Sequence, residues 1–457
     1  MSVTIDLAQI IKAYDVRGTV PDQLNAEVAG AIGRAFAQTL RELGEDKGSI
    51  VVAHDMRESG PALVAAFTDG VRGEGMDVVH AGLGSTDLLY YAAGSMDLPG
   101  AMFTASHNPA QYNGIKLCFA GARPVGQDSG LAQIRDRAQA MLASGEPIPP
   151  GIGRLEHRDL LSGYADYLHQ LVPLGAIRPL RVVVDAGNGM GGYTVPAVLG
   201  TVSALTIVPL YFELDGSFPN HEANPLEPAN LVDLQKAVVE HGADLGLAFD
   251  GDADRCFVID ANGDAVSPSA VTALVATREL AKHPGSTIIH NLITSSAVPE
   301  IVREHGGVPV RTRVGHSFIK AEMANTGAVF GGEHSAHYYF RDFWSADTGM
   351  LAAMHVLAAL GESSQPLAEL GAQFERYVAS GEINSKVNDA SAKLAEVKAH
   401  FAAQEQDELD GLTVRFADGA WLNLRPSNTE PLLRLNAEAP TAERMAQLRD
   451  EVLAIVR

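Results

Sequence analysis

Short apolar runs alternate with longer amphipathic stretches along most of the chain. IVVAHD at 50–55 precedes a helical pattern over 60–74, DVVHAG at 77–82 leads into another, and AMFTAS follows at 101–106. This rhythm predicts a mostly parallel sheet with helices on both faces. After the loop-like EPIPPGIG at 146–153 it restarts with RVVVDAGNG at 181–189, then TIIHNL at 287–292 and VPVRTRVG at 308–315. The last stretch differs. LTVRFADG (412–419), AWLNLRPS (420–427) and PLLRLNAEA (431–439) read as strands, with a hairpin turn at Ala417-Asp418-Gly419 and helices over 390–408 and 441–456. The expected fold class is α/β: three consecutive α/β domains with mixed or parallel sheets (1–148, 149–257, 258–372), then a small C-terminal α+β domain (373–457).

A chain of 457 residues is too long for one core, which agrees with that division. The net charge of −22 argues against nucleic-acid or anionic-membrane partners, both of which need a basic face. An acidic chain that handles an anionic ligand must gather its few cations locally. The two cysteines, Cys118 and Cys256, lie far apart, so a disulfide framework is not expected and a reducing compartment is. The N-terminal stretch has no basic flank with a long apolar run, and nothing reaches the ~18 apolar residues of a membrane helix; a cytoplasmic location is expected.

Four polar loops carry the chemistry. Thr104-Ala105-Ser106-His107-Asn108-Pro109, followed by Tyr112-Asn113-Gly114-Ile115-Lys116, comes after an apolar strand. Ser106 should therefore sit at a strand's carboxyl end, as a nucleophile, a phosphate carrier or merely the cap of an Asn-Pro turn. In Asp250-Gly251-Asp252-Ala253-Asp254-Arg255, three carboxylates at alternate positions lie between LGLAF and CFVID. So much like charge calls for a hard cation such as Mg²⁺. A calcium EF-hand loop would need glycine at its sixth position, here Arg255, and glutamate at its twelfth, here Ala261. The remaining alternative is a solvated acidic turn. Gly331-Gly332-Glu333-His334-Ser335-Ala336-His337 can grip sugar hydroxyls or be a polar glycine-rich turn. Arg425-Pro426-Ser427-Asn428-Thr429-Glu430-Pro431 can cradle a phosphate or simply join two strands, and Arg17 is a lone cation that could assist.

TASHNP with YNGIK, then DGDADR, GEHSAH and RPSNTEP, in that order, resemble the four active-site loops of the α-D-phosphohexomutase family, one loop from each of four domains around a central cleft. The resemblance spans the whole chain, and GEHSAHYYF is most similar to the sugar loop of bacterial phosphomannomutase/phosphoglucomutase enzymes. It implies a phosphoryl group carried on Ser106, and Mg²⁺ held by Ser106, Asp250, Asp252 and Asp254. Glu333 and Ser335 would hold sugar hydroxyls, and Arg425, Ser427, Asn428 and Thr429 the terminal phosphate. The catalytic set would be Ser106, Lys116, His107, Arg255, His316 and His337: Arg17, Lys116 and Arg255 would line the transfer site with compensating charge, and Lys116, His316 and His337 are candidates for the general base. The implied reaction interconverts mannose 1- and 6-phosphates, and the glucose phosphates too, through a hexose 1,6-bisphosphate that also serves as activator. The expected partners are small phosphosugars, with the chain a monomer or homodimer. Val314 and His334 stand where threonine and methionine are frequent in the family, which bears on substrate preference.

Other readings compete. Gly187-Asn188-Gly189-Met190-Gly191-Gly192 after RVVVDA, with Asp215 beyond, matches a nicotinamide-binding fingerprint, but Pro196 should interrupt the helix that must follow. Phosphoglucosamine mutase, a sugar phosphatase on the same scaffold, and a non-catalytic binding protein complete the set.

Overall fold

The computed structural model describes residues 5–12, 14–426 and 432–457. It packs as two units, Met1–Val266 with Ser335–Ala368, and Ser267–His334 with Glu369–Arg457.

The first unit holds two mixed sheets. One runs in the order Val16–Thr19, Tyr112–Phe119, Gly100–Phe103, Ser49–His54, Asp77–Leu83, Leu155–His157, with Arg123–Pro124 added beside Tyr112–Phe119. Its centre is parallel: Ser49–His54 pairs in parallel with both Gly100–Phe103 and Asp77–Leu83. Gly100–Phe103 is buried along its whole length, as expected of a strand covered on both faces. The helix Ala26–Glu42 starts where the Asn25 side chain accepts from Val28 N at 3.1 Å. It approaches the helix Gly60–Gly73 so closely that a Cβ on Gly33 would stand 2.2 Å from the Phe67 carbonyl oxygen. Phe67 meets the fully buried Phe103 edge-on at 5.3 Å. Phe103→Ala should therefore cost this domain about 3–5 kcal/mol; urea unfolding of wild type and variant measures it.

The second sheet runs Ala265–Val266, Cys256–Asp260, Leu245–Phe249, Leu180–Asp185, Leu205–Leu210, the last three parallel. The antiparallel pair Tyr338–Phe340 with Ala346–Asp347 and the helix Gly349–Glu362 also belong to this unit. Asp55, Thr104 and Asp250 each stand just past the carboxyl end of a strand in these two sheets, the edge where open α/β sheets bind ligands.

In the second unit, Thr287–Asn291 pairs in parallel with Val308–Thr312 and Phe330–Gly332. A six-stranded antiparallel sheet runs Val378–Ala379, Leu432–Ala439, Trp421–Pro426, Leu412–Arg415, Glu405–Asp407, with Ile383–Lys386 beside Leu432–Ala439, under the helices Ala390–His400 and Ala442–Val456.

Two expectations need correction. The helix expected over 390–408 ends at His400, and Glu405–Asp407 is a strand against Leu412–Arg415. Favourable local propensity loses there to tertiary contacts: Phe401 is buried in the core, and Gln406 Nε2 donates to the Lys398 and Phe401 carbonyls at the helix end. Pro196 does not interrupt its helix but lies inside Gly191–Val198, two residues from its end, where its missing N–H forgoes a single helical bond. No described helix is long and apolar enough to cross a membrane.

Candidate active site

The serine loop leaves Gly100–Phe103 and turns back into Tyr112–Phe119. Ser106 N donates to Thr104 Oγ1 at 2.9 Å, Asn108 N to the Ala105 carbonyl at 3.0 Å, and Tyr112 N to the Pro109 carbonyl at 3.0 Å. Ser106 sits at φ 50°, a left-handed conformation that a non-glycine residue keeps only when its surroundings enforce it. Its hydroxyl donates to Asp250 Oδ2 at 2.8 Å and lies 3.2 Å from His107 Nδ1 and 3.3 Å from Arg255 Nη2.

The aspartate loop closes the hairpin in which Phe249 faces Cys256. Asp250 Oδ1 accepts from Arg255 N at 3.1 Å and Asp250 O from Ala253 N at 3.0 Å, so the loop curls around its first carboxylate. Gly251 makes the meeting of the two loops possible: a Cβ there would stand 2.3 Å from the Ser106 carbonyl oxygen.

Asp250, Asp252 and Asp254 are each at most 1% exposed and offer oxygens within 4.8 Å of one another. Lys116 Nζ donates to Asp252 Oδ2 at 2.8 Å and Asp254 Oδ2 at 2.6 Å, and Arg255 Nε to Asp250 Oδ2 at 2.9 Å. Burial, reinforced by the neighbouring aspartates, pushes the Asp250 carboxyl up to about 7 despite Arg255. Burial also opposes charge on Asp252, but Lys116 and the Thr86 hydroxyl outweigh it and hold that carboxyl well below the usual range. The same balance runs the other way at Lys116: burial disfavours its charge, and Asp252 and Asp254 raise its pKa well above the ordinary value. His107 is driven down by burial and by Arg255 and Arg17, and its Nδ1 is in close contact with Arg255 Nη2.

The donor set fits a hard divalent cation. Asp252 Oδ1 and Asp254 Oδ1 are buried without a hydrogen-bond partner among the described residues, in a cluster of oxygen ligands only. Asp254 also falls in a group with His337 and Asp347, but its two fellow aspartates make the all-oxygen set.

Arg17 donates to Asn108 Oδ1 at 2.5 Å and Asp15 Oδ2 at 2.6 Å, which joins it to the serine loop. His337 Nδ1 is 3.0 Å from Ser335 Oγ, and its Nε2 is 3.6 Å from Asp254 Oδ1. The first unit thus gathers Ser106, His107, Lys116, Arg17, Arg255, Ser335, His337 and the three aspartates. In the second unit, buried Glu333 accepts from Asn291 Nδ2 at 3.1 Å, and buried Arg425 donates to Glu382 at 2.6 Å while its Nη1 has no hydrogen-bond partner among the described residues. Burial lowers the Arg425 pKa, and Glu333 is among the carboxylates that act on its charge. His316 opens the helix His316–Thr326. Ser427, Asn428 and Thr429 lie outside the described residues.

Sequence reasoning missed three supporting residues. Thr86 donates to Asp252 Oδ2 at 2.5 Å, and its N to the Asp252 carbonyl at 3.0 Å. Asp87, fully buried, accepts from Tyr164 at 2.7 Å, from Thr348 at 2.6 Å and from Ser85, and so ties the turn carrying Thr86 to two distant helices. Arg57 is enclosed beneath the serine loop. Asp55 and Arg57 just past the strand at 49–54 were the one available signal; nothing in the sequence distinguishes Thr86 and Asp87 from an ordinary helix start.

Burial pushes the Asp87 carboxyl up to about 6, against hydroxyl donors that favour its charge. The folded state then holds this proton more tightly than the unfolded chain. The resulting stability is present in acid and is lost as pH rises from the ordinary carboxylate range to about 6, at most about 3 kcal/mol. Thermal unfolding between pH 4 and 7 should show Asp87→Asn gaining on wild type as pH rises; parallel curves would refute this.

Comparison with known proteins fits this geometry. Models of the four phosphoglucomutase/phosphomannomutase domains match in order: alpha/beta/alpha domain I at 8–142, domain II at 162–263, domain III at 267–377 and the C-terminal domain at 382–455. The chain is 43% identical to a Xanthomonas campestris pv. campestris protein named "Phosphohexose mutases" over 433 residues, 93% of this chain and 94% of that one. It is 39% identical to a Salmonella typhimurium phosphomannomutase over 440 residues, 94% of each. A crystal structure of a phosphoglucomutase/phosphomannomutase family protein from Burkholderia thailandensis superposes with a TM-score of 0.89 at 33% identity, over 99% of this chain and 97% of that one. With all four domains matched and such relatives along nearly its full length, the chain belongs to the phosphoglucomutase/phosphomannomutase family and is a phosphohexose-isomerising phosphotransferase.

Proposed function

We propose that this enzyme interconverts mannose 1- and 6-phosphates, and the glucose phosphates as well, through phospho-Ser106 and a hexose 1,6-bisphosphate. The observation that carries the reading is the Ser106 hydroxyl, donating to Asp250 Oδ2 at 2.8 Å with Arg255 Nη2 at 3.3 Å. In the first step the P–Oγ bond breaks, a bond forms from phosphorus to the free sugar hydroxyl, and that hydroxyl's proton passes to a base. In the second, the sugar is turned end for end, its other O–P bond breaks, the P–Oγ bond re-forms, and the base returns the proton to the released sugar oxygen. Mg²⁺ on Asp250, Asp252 and Asp254 would offset the phosphoserine's charge and polarise the phosphoryl oxygens.

Lys116, held charged between Asp252 and Asp254, serves as a cation on the transferring group, which leaves His316 and His337 as the candidate bases. His107, 3.2 Å from Ser106 Oγ, orients that oxygen. Glu333 and Ser335 take the 3- and 4-hydroxyls. Arg425, whose Nη1 has no partner among the described residues, takes the far phosphate together with Ser427, Asn428 and Thr429. None of these contacts reads C2, where mannose and glucose differ, so both sugars are substrates; relatives named phosphomannomutase favour mannose as the principal one.

Phosphorus NMR with mannose 1-phosphate, Mg²⁺ and a trace of hexose 1,6-bisphosphate tests the proposal. Growth of the 6-phosphate signal supports it. Free phosphate would mean a phosphatase, and turnover of glucosamine phosphates alone would mean the wrong sugar.

A further inference from the structure

Arg57 lies three residues past the strand Ser49–His54, and its side chain is 1% exposed. An arginine has five N–H donors, and here every one is used. Nε donates to Asp55 Oδ2 at 3.3 Å, Nη1 to the carbonyls of Pro109 and Tyr112 at 2.9 Å each, and Nη2 to the carbonyls of Ser106 at 2.9 Å and Asn108 at 2.6 Å. Its backbone N donates to Asp55 Oδ1 at 2.9 Å, and the Phe218 ring lies 5.2 Å from its guanidinium.

Four carbonyls from one seven-residue stretch therefore turn inward onto a single cation. An unsupported loop would point them outward to water and would release Ser106 from its left-handed φ of 50°. The Ser106 carbonyl is held from two sides, by Arg57 Nη2 and by the close approach of Gly251. With the backbone fixed there, the serine side chain is left facing Asp250 and Arg255.

We propose that Arg57 is a positioning residue for phosphoryl transfer: by binding the carbonyls of Ser106, Asn108, Pro109 and Tyr112 it holds the serine loop in the conformation that aims Oγ at the aspartate loop. Its side-chain partners are backbone carbonyls of the serine loop, Asp55 and the Phe218 ring, and it touches none of the side chains assigned to the sugar hydroxyls or the far phosphate, so its removal changes the rate and not the binding of substrate. Lysine cannot replace it, because one ammonium with three donors cannot span four carbonyls and Asp55. The inference rests on the reading of Ser106 as the phosphoryl carrier.

The test uses the full-length protein with Mg²⁺. Transfer of labelled phosphoryl from glucose 1,6-bisphosphate to Ser106 is followed in a single turnover, in which the Oγ–P bond forms, a sugar O–P bond breaks and the serine proton ends on the released sugar oxygen. In Arg57→Lys, assayed well below its unfolding temperature, both this rate and kcat should fall about 100-fold, the usual cost of a misplaced reacting group. KM for mannose 1-phosphate should stay within about twofold. In Arg57→Ala, millimolar guanidinium chloride should restore activity and ammonium chloride should not. An Arg57→Lys enzyme with labelling rate and kcat within about twofold of wild type overturns the proposal, as does equal rescue by both salts. Wild type that takes no label at Ser106 overturns the phosphoserine reading itself, whereas labelled wild type beside equally labelled Arg57→Lys overturns only the role of Arg57.

Discussion

Alanine in place of Ser106 is expected to reduce mutase turnover by at least about four orders of magnitude, the scale seen when a covalent carrier is removed. The reason is geometric. Ser106 Oγ is buried and has Asp250 Oδ2, His107 Nδ1 and Arg255 Nη2 within 3.3 Å. A water in its place could neither hold a phosphoryl group through the turn of the bisphosphate nor return it. The fold should survive: alanine removes one oxygen, keeps the same backbone preference, and leaves Asp250 paired to Arg255. Isomerisation of mannose 1-phosphate followed by phosphorus NMR, with circular dichroism as a check on folding, measures the effect. A folded Ser106→Ala enzyme with more than about a hundredth of wild-type turnover would sink the phosphoserine mechanism.

The second large effect is expected at Asp252. Its Oδ2 receives both Lys116 and Thr86, and its buried Oδ1 has no hydrogen-bond partner among the described residues. Asp252→Asn removes one of the two carboxylates that bind Lys116 and turns one metal-facing oxygen into a weaker ligand or an N–H₂ donor. A loss of several kcal/mol of charge stabilisation corresponds to roughly a 100- to 1,000-fold fall in kcat. The Mg²⁺ concentration for half-maximal activity should rise in parallel. EDTA should abolish wild-type activity and added Mg²⁺ restore it. Titration of activity against Mg²⁺ checks both statements, and an Asp252→Asn enzyme with an unchanged Mg²⁺ requirement would contradict the assignment.

Much of this molecule was legible in its sequence because the informative signals are short and local. The runs at 50–55, 181–185 and 245–249 are the apolar strands of covered sheets, and all three are strands in the structure. The four polar loops stood out because each broke such a pattern with residues that carry chemistry. What escaped depends on contacts between distant segments. Arg57, Thr86 and Asp87 owe their importance to partners some 50 to 260 residues away, and no periodicity encodes that. The helix end at His400 was missed for the same reason, since Ala, Glu and Lys favour helix whatever the sheet beside them requires. Pro196 shows the converse error: a reliable local breaker was overruled by its setting.

The discontinuity of the first unit has a consequence for how the chain is made. That unit contains Met1–Val266 but is completed only by Ser335–Ala368, which brings Thr348 to Asp87 and His337 to Asp254. On the ribosome, at about 5–20 residues per second, roughly 5–20 s pass between the synthesis of Val266 and that of Ala368. Throughout that interval the nascent chain carries both N-terminal sheets and the aspartate loop without the Thr348 and His337 contacts that the later segment brings. A stall or truncation between residues 266 and 335 would therefore leave Asp87 without Thr348 and Asp254 without His337, an incomplete unit exposed to chaperones and quality-control proteases.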